Sequence, residues 1–189
     1  MACYCNNQTL AGLCKDCEGS VGGIVTVYAI PWSWVKSVSV GTATTGTDID
    51  YQIITAITFD TAVTAATFYE YQFRKNTGSM TSTLNVTDDG NVYVSTELSL
   101  VFSKMETKKR IEMNALAVQD LAIIVKDANG KYWYLGETEP VNASAGEGAT
   151  GTNRTDSNHY GITFTALSPD FPKEVAESAL NGKIEQATN

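Results

Sequence analysis

One histidine, four prolines and no cysteine beyond position 17 stand out in this 189-residue sequence, and each shortage removes a class of chemistry. With His159 as the only imidazole, a Ser or Cys hydrolase triad would have to be built on it, and no Gly-x-Ser-x-Gly elbow accompanies it. Gly146 to Gly151 has the glycine content of a phosphate loop but not the Lys-Ser/Thr that completes one. The paired carboxylates Asp88 and Asp89, and Glu137 and Glu139, read as solvated turns rather than an acid-base pair. The sequence therefore argues against an enzyme. No run approaches the roughly 18 apolar residues of a membrane span, and MACYCNNQ has neither the charged nor the apolar segment of a signal peptide. The expectation is a protein made and kept in a cytosol, where the sequons at Asn7, Asn85, Asn142 and Asn153 carry no weight.

Bases are scarce as well. Thirteen Lys and Arg face 21 Asp and Glu, for a net charge of −8, and the densest basic cluster is Lys108, Lys109 and Arg110. Affinity for nucleic acid comes mainly from counterions released by a cationic surface, so the composition argues against a DNA reader. An acidic surface still suits a passage that DNA must traverse without sticking.

What is present is mostly β-structure in one domain, large enough to bury roughly 70% of its unfolded surface. Gly22 to Ile30 is β-branched. Tyr51, Ile53, Thr55, Ile57 and Phe59 mark one face of a second run, and Thr67 to Arg74 separates Tyr69, Tyr71 and Phe73 from Glu70, Gln72 and Arg74. In Asn91 to Lys104 the period of two is sustained longest: Val94, Thr96, Leu98, Leu100 and Phe102 face one way, Tyr93, Ser95, Glu97 and Ser99 the other. Long strands with one polar face suggest a wall. Met80, Leu84 and Val86 hint at a further short strand.

A helix is predicted over about 106–119, with Ile111, Ala115 and Val118, supported by Leu116, as its apolar stripe. A hairpin follows, Leu121 to Lys126 and Lys131 to Leu135, turned by Asp127, Ala128, Asn129 and Gly130 with Asn and Gly at positive φ in a two-residue turn. The polar stretch Thr138 to Asn158 reads as a loop too long to be idle, before Tyr160, Ile162 and Phe164 resume strand alternation. The fold class is mainly β: an antiparallel sandwich or barrel with one flanking helix. It divides into a cysteine-containing leader (1–21), the β domain (22–170) and a C-terminal tail (171–189), with a turn of helix expected through Glu174, Val175 and Ala179.

Cys3-x-Cys5 and Cys14-x-x-Cys17 present two close thiol pairs. They suit the tetrahedral sphere of a structural zinc, disulfides formed after release from the cell, or unpaired thiols in a leader. A redox role is poorly placed, since a thioredoxin-like pair opens a helix after a strand, whereas here Glu18, Gly19 and Ser20 precede the first strand. Apart from zinc, no cofactor is implied. Trp32, Trp34 and Trp133, with Tyr132 and Tyr134, read first as core or interface residues and second as a sugar platform.

From Leu121 to Phe171, the apolar strand, the Asp-x-Asn-Gly turn, Trp133-Tyr-Leu-Gly, Gly151-Thr152, Asp156 and Tyr160-Gly-Ile-Thr-Phe resemble the C-terminal part of tail-tube-like virion proteins of tailed bacteriophages. The cysteine leader is no general feature of that family. The resemblance implies a homo-oligomeric ring, commonly hexameric, that stacks on neighbouring rings, meets other virion proteins and conducts DNA without sequence-specific binding. On that reading the protein resides in the virion as a tail tube or neck ring. Glu70, Gln72, Arg74, Ser95, Glu97 and Ser99 would line the lumen or an interface, and Glu147, Thr150, Thr152, Asn153 and Asp156 would form an inter-subunit loop. The alternative expectation is a capsid-decorating or adhesin-like β domain that holds a host glycan with Trp32, Trp34 and the Gly/Thr loop.

Overall fold

The strands run as β1 (Ile24–Pro31), β2 (Val35–Thr44), β3 (Asp50–Phe59), β4 (Phe68–Gln72), β5 (Gly78–Val86) and β6 (Val92–Ser103). After the helix α1 (Thr107–Val118) come β7 (Leu121–Asp127), β8 (Tyr132–Leu135), β9 (Asn142–Ala149), β10 (His159–Ser168), β11 (Lys173–Val175) and β12 (Ile184–Glu185). The computed structural model describes residues 20–44 and 50–187. A large sheet has the order β12-β4-β1-β7-β8-β11-β3-β2, and a smaller one the order β5-β6-β10-β9. The architecture is mainly β and sandwich-like, and its described strands form no closed barrel.

β1 and β7 are apolar on both faces because each faces a core on both sides. Between the sheets, Val27, Ala29, Ile123 and Val125 meet Leu98, Leu100, Phe102, Ile162 and Phe164. On the other face the large sheet curls over a second core of Tyr28, Ile30, Ile54, Ile57, Phe68, Ile124 and Tyr134. Lys183 spans the mouth of the curl: its carbonyl accepts from Phe68 N (2.8 Å), and its Nζ donates to the Ile57 carbonyl.

The alternation in β6 holds over its length, with Val94, Thr96, Leu98, Leu100 and Phe102 buried. Other expectations need correction. In β3 the buried residues are Ile54 and Ile57, out of phase with strict alternation, because the pairing with β2 shifts between Ser39 and Val40 and leaves Thr55 as a bulge. α1 turns its other side inward. Leu116 is buried and Met113 packs beneath it, while Ile111 and Val118 of the expected stripe are 55% and 86% exposed. The β7–β8 hairpin closes through three residues rather than two. Asp127 N donates to Lys131 O (2.9 Å) and Gly130 N to Asp127 O (3.2 Å), and only Gly130 has a positive φ, 83°. The presumed tail supplies β11 and β12 to the large sheet, with Val175, Ala179 and Leu180 buried in the second core. The helical turn near it is a 3-10 segment, Glu177–Leu180, and Val175 belongs to a strand.

Candidate assembly surface

The four-stranded sheet turns one face to the core and the other outward. Register places Ser79 beside Ser99 and Thr163, Thr81 beside Glu97 and Thr165, and Thr83 beside Ser95 and Leu167. Strand alternation therefore gathers Ser95, Glu97 and Ser99, singled out from the sequence, into a hydroxyl-rich field with Ser79, Thr81, Thr83, Thr163 and Thr165. None of the four strands contains a lysine or an arginine.

Glu70, Gln72 and Arg74 are not part of this field. Glu70 and Gln72 lie on β4 of the other sheet, on the same side of the strand as buried Phe68, and Glu70 Oε2 accepts from Gln72 Nε2 (3.0 Å) and Ala187 N (3.1 Å). Arg74 follows β4 in a turn, its carbonyl bonded by Thr77 N and Oγ1. One polar surface expected from the sequence thus resolves into two on different sheets.

The expected long loop is also something else. Residues 142–149 form β9, the edge strand of the small sheet, and Glu147 sits on it with its carboxylate 3.3 Å from His159 Nε2. Small residues (Ala, Ser, Gly) disguise this strand, since they carry little β propensity and become a strand through backbone pairing with β10. Thr150, Thr152, Asn153 and Asp156 occupy the short turn between β9 and β10. Asp156 Oδ2 accepts from Thr152 N (2.8 Å) and Asn153 N (2.7 Å), and these bonds hold its carboxyl below the usual carboxylate range. Gly151, with φ 70°, permits that closure. Asn158 ties the turn to the start of α1, its Oδ1 accepting from Met105 N at 2.7 Å.

Among the described residues, both outer strands of the small sheet leave backbone groups without partners. Lys104 N donates to Asn158 O, so even-numbered residues of β10 bond β6, and 159, 161 and 163 bond 149, 147 and 145 of β9. The intervening Ser144, Gly146 and Gly148 direct N–H and C=O away from the sheet. On the opposite edge, Val101 N donates to Thr77 O and Thr87 N donates to Asn91 O, so the backbone N–H and C=O of Met80, Ser82, Leu84 and Val86 point away from the sheet in the same way. Sequence reasoning missed this pair of edges; the signal was the weak alternation of residues 78–86 and the strand hidden in 142–149.

The tryptophans serve the fold. Trp32 Nε1 donates to Gly136 O (2.8 Å), Trp133 Nε1 to Asp127 Oδ2 (3.0 Å), and Trp32 and Trp34 pack on the second core. The four cysteines lie outside the described residues, and the zinc expectation with them. Compared with family models, curated proteins and solved structures, the chain matches none significantly. Among the described residues no helix is long and apolar enough to cross a membrane.

Proposed function

We propose that the chain is a virion structural subunit of the tail-tube or neck kind, closing into rings through the edges of its four-stranded sheet. The observation that carries this reading is directional. β5, β6, β10 and β9 alternate in direction across an even number of strands, so a rotated copy brings its β5 antiparallel to β9 of its neighbour. Head-to-tail repetition then extends one antiparallel sheet around a ring and leaves neither edge of that sheet exposed.

The size that results suits a conduit. Six copies give about 24 strands, which at about 4.8 Å spacing and about 40° tilt close at a backbone diameter of roughly 48 Å, or a bore of roughly 35–40 Å. The hydroxyl field without cations faces that bore, and with no Lys or Arg on these strands DNA meets no counterion-releasing contact there.

The test is Gly146→Pro. Gly146 points its N–H outward, and a Cβ there meets nothing closer than Gly161 O at 3.7 Å, so proline on this edge leaves the monomer folded. Negative-stain microscopy of the concentrated wild-type protein is expected to show rings or tubes of uniform bore, and Gly146→Pro to abolish them with an unchanged melting temperature. A wild-type protein that stays monomeric at every concentration, or a proline variant that assembles as well as wild type, would sink the proposal.

A further inference from the structure

Two apolar surfaces on the inward side of the small sheet have no partner among the described residues, and they sit at its two opposite edges. At the β5 edge, Leu84 and Val86 pair with Val94 and Val92, so all four share the inward face. Val94 is fully buried, yet Leu84, Val86 and Val92 are about half exposed or more, because this end of the β5–β6 hairpin overhangs the core. At the β9 edge lies α1, packed along β9 and β10, with Leu116 in the core and Met105 against Tyr160 and Gly148. Its opposite side presents Ile111 and Val118, seven residues apart and so on one helix face, with Ala115 between them. An apolar stripe on the solvent side of a short helix gains nothing in an isolated subunit.

Resting on the ring reading, we infer that these surfaces dock on one another between successive copies: the Ile111, Ala115 and Val118 stripe of one subunit covers Leu84, Val86 and Val92 of the next. Continuing the small sheet from β9 to a neighbour's β5 places the first copy's α1 beside the second copy's overhang, on the same side of the shared sheet. Each surface supplies the cover that the other needs. The helix runs from the His159 end of β10 toward the Leu121–Val141 bridge, the end of the sheet at which the β5–β6 turn lies, so Val118 is the part of the stripe nearest the overhang. The backbone edges supply the pairing, and the helix fixes which edge is chosen, since a β5 edge meeting another β5 edge would leave both stripes uncovered.

The experiment introduces a benzophenone photo-crosslinker at position 111 of the full chain and, separately, the exposed double substitution Ile111→Ser and Val118→Ser. Cross-linked peptides are expected to join position 111 to residues 84–92 of another copy. The double variant is expected to need at least a ten-fold higher concentration to assemble, with its monomer melting temperature unchanged, since both side chains are already in water. Rings whose cross-links map elsewhere, or a double variant that assembles as wild type does, overturn this docking and leave the ring reading standing. Absence of both rings and intermolecular cross-links overturns the two together.

Discussion

Asp127→Ala is the substitution whose cost follows most directly from the geometry. Oδ1 of this carboxylate accepts from Asn129 N (2.8 Å) and Lys131 N (2.9 Å), and Oδ2 from the indole of Trp133 (3.0 Å). The turn so formed also holds the start of the described chain: Asn129 accepts from Val21 N (2.9 Å) and donates to Val21 O (3.1 Å), and Ala128 N donates to Gly23 O. Hydrogen bonds to a charged group contribute about 1.5–3 kcal/mol each when sheltered, and about 1 kcal/mol each at a half-buried site, so losing three costs about 3 kcal/mol. For a domain of this size that lowers the melting temperature by roughly 6–12 °C. Asp127→Asn keeps Oδ1 for the two backbone donors but offers an amide to Trp133, and so costs about 1 kcal/mol. Partial burial pushes the Asp127 carboxyl up, but the bonds from Trp133, Lys131 and Asn129 outweigh it and leave it below the usual carboxylate range. A depressed carboxyl stabilises above its unfolded pKa and ceases to do so as pH falls through the folded one. The advantage of wild type over Asp127→Asn is therefore complete near neutrality and collapses only in strong acid. Urea unfolding followed by tryptophan fluorescence across that range measures both quantities. An Asp127→Ala cost under about 0.5 kcal/mol, or a gap to Asp127→Asn that widens in acid, refutes the reasoning.

Tyr134→Phe is expected to leave the melting temperature unchanged or raise it by a few degrees. The Tyr134 hydroxyl is buried without a partner among the described residues, and burial, with Glu137 nearby, pushes its pKa up; a loss above about 1 kcal/mol in thermal unfolding would show that the hydroxyl is satisfied in solution. Gly151→Ala forces a Cβ to 2.4 Å from that of Asp156 at a φ of 70°. It is expected to cost about 1–2 kcal/mol and to abolish amide-exchange protection at Thr152 and Asn153, and unchanged protection there would remove Asp156 as the organiser of that turn.

The long-period elements were legible because their pattern is set by burial alone. In β6 every inward residue is apolar except Thr96, whose hydroxyl pairs with Ser82 at 2.8 Å, so the alternation survives translation into structure. Legibility failed where a tertiary contact overrode the local pattern. The Thr55 bulge reverses the phase of β3, and nothing in Tyr51 to Phe59 announces it. β2 escaped notice because, as an edge strand, it buries little and its Ser and Gly residues look like linker. β9 escaped because NASAGEGA has the composition of a loop and becomes a strand through its pairing with β10. The helix is the sharper case. Ile111, Ala115 and Val118 do share a face, but Met113 and Leu116 on the other side are the residues that meet the chain's own core.

The net charge of −8 suggested a wall that repels DNA, yet Glu97 and Glu147 are the only carboxylates on the four strands proposed to line a bore, and the rest of the field is hydroxyl. What these strands offer is the absence of cations rather than a strong negative potential, and without cations there are no counterions to release and no salt-dependent affinity to overcome. The described basic residues lie instead on the helix, in the turns and on or beside the larger sheet. On the ring reading, the face that DNA passes is polar and free of cations, and the helix leaves its apolar stripe on the side where subunits meet.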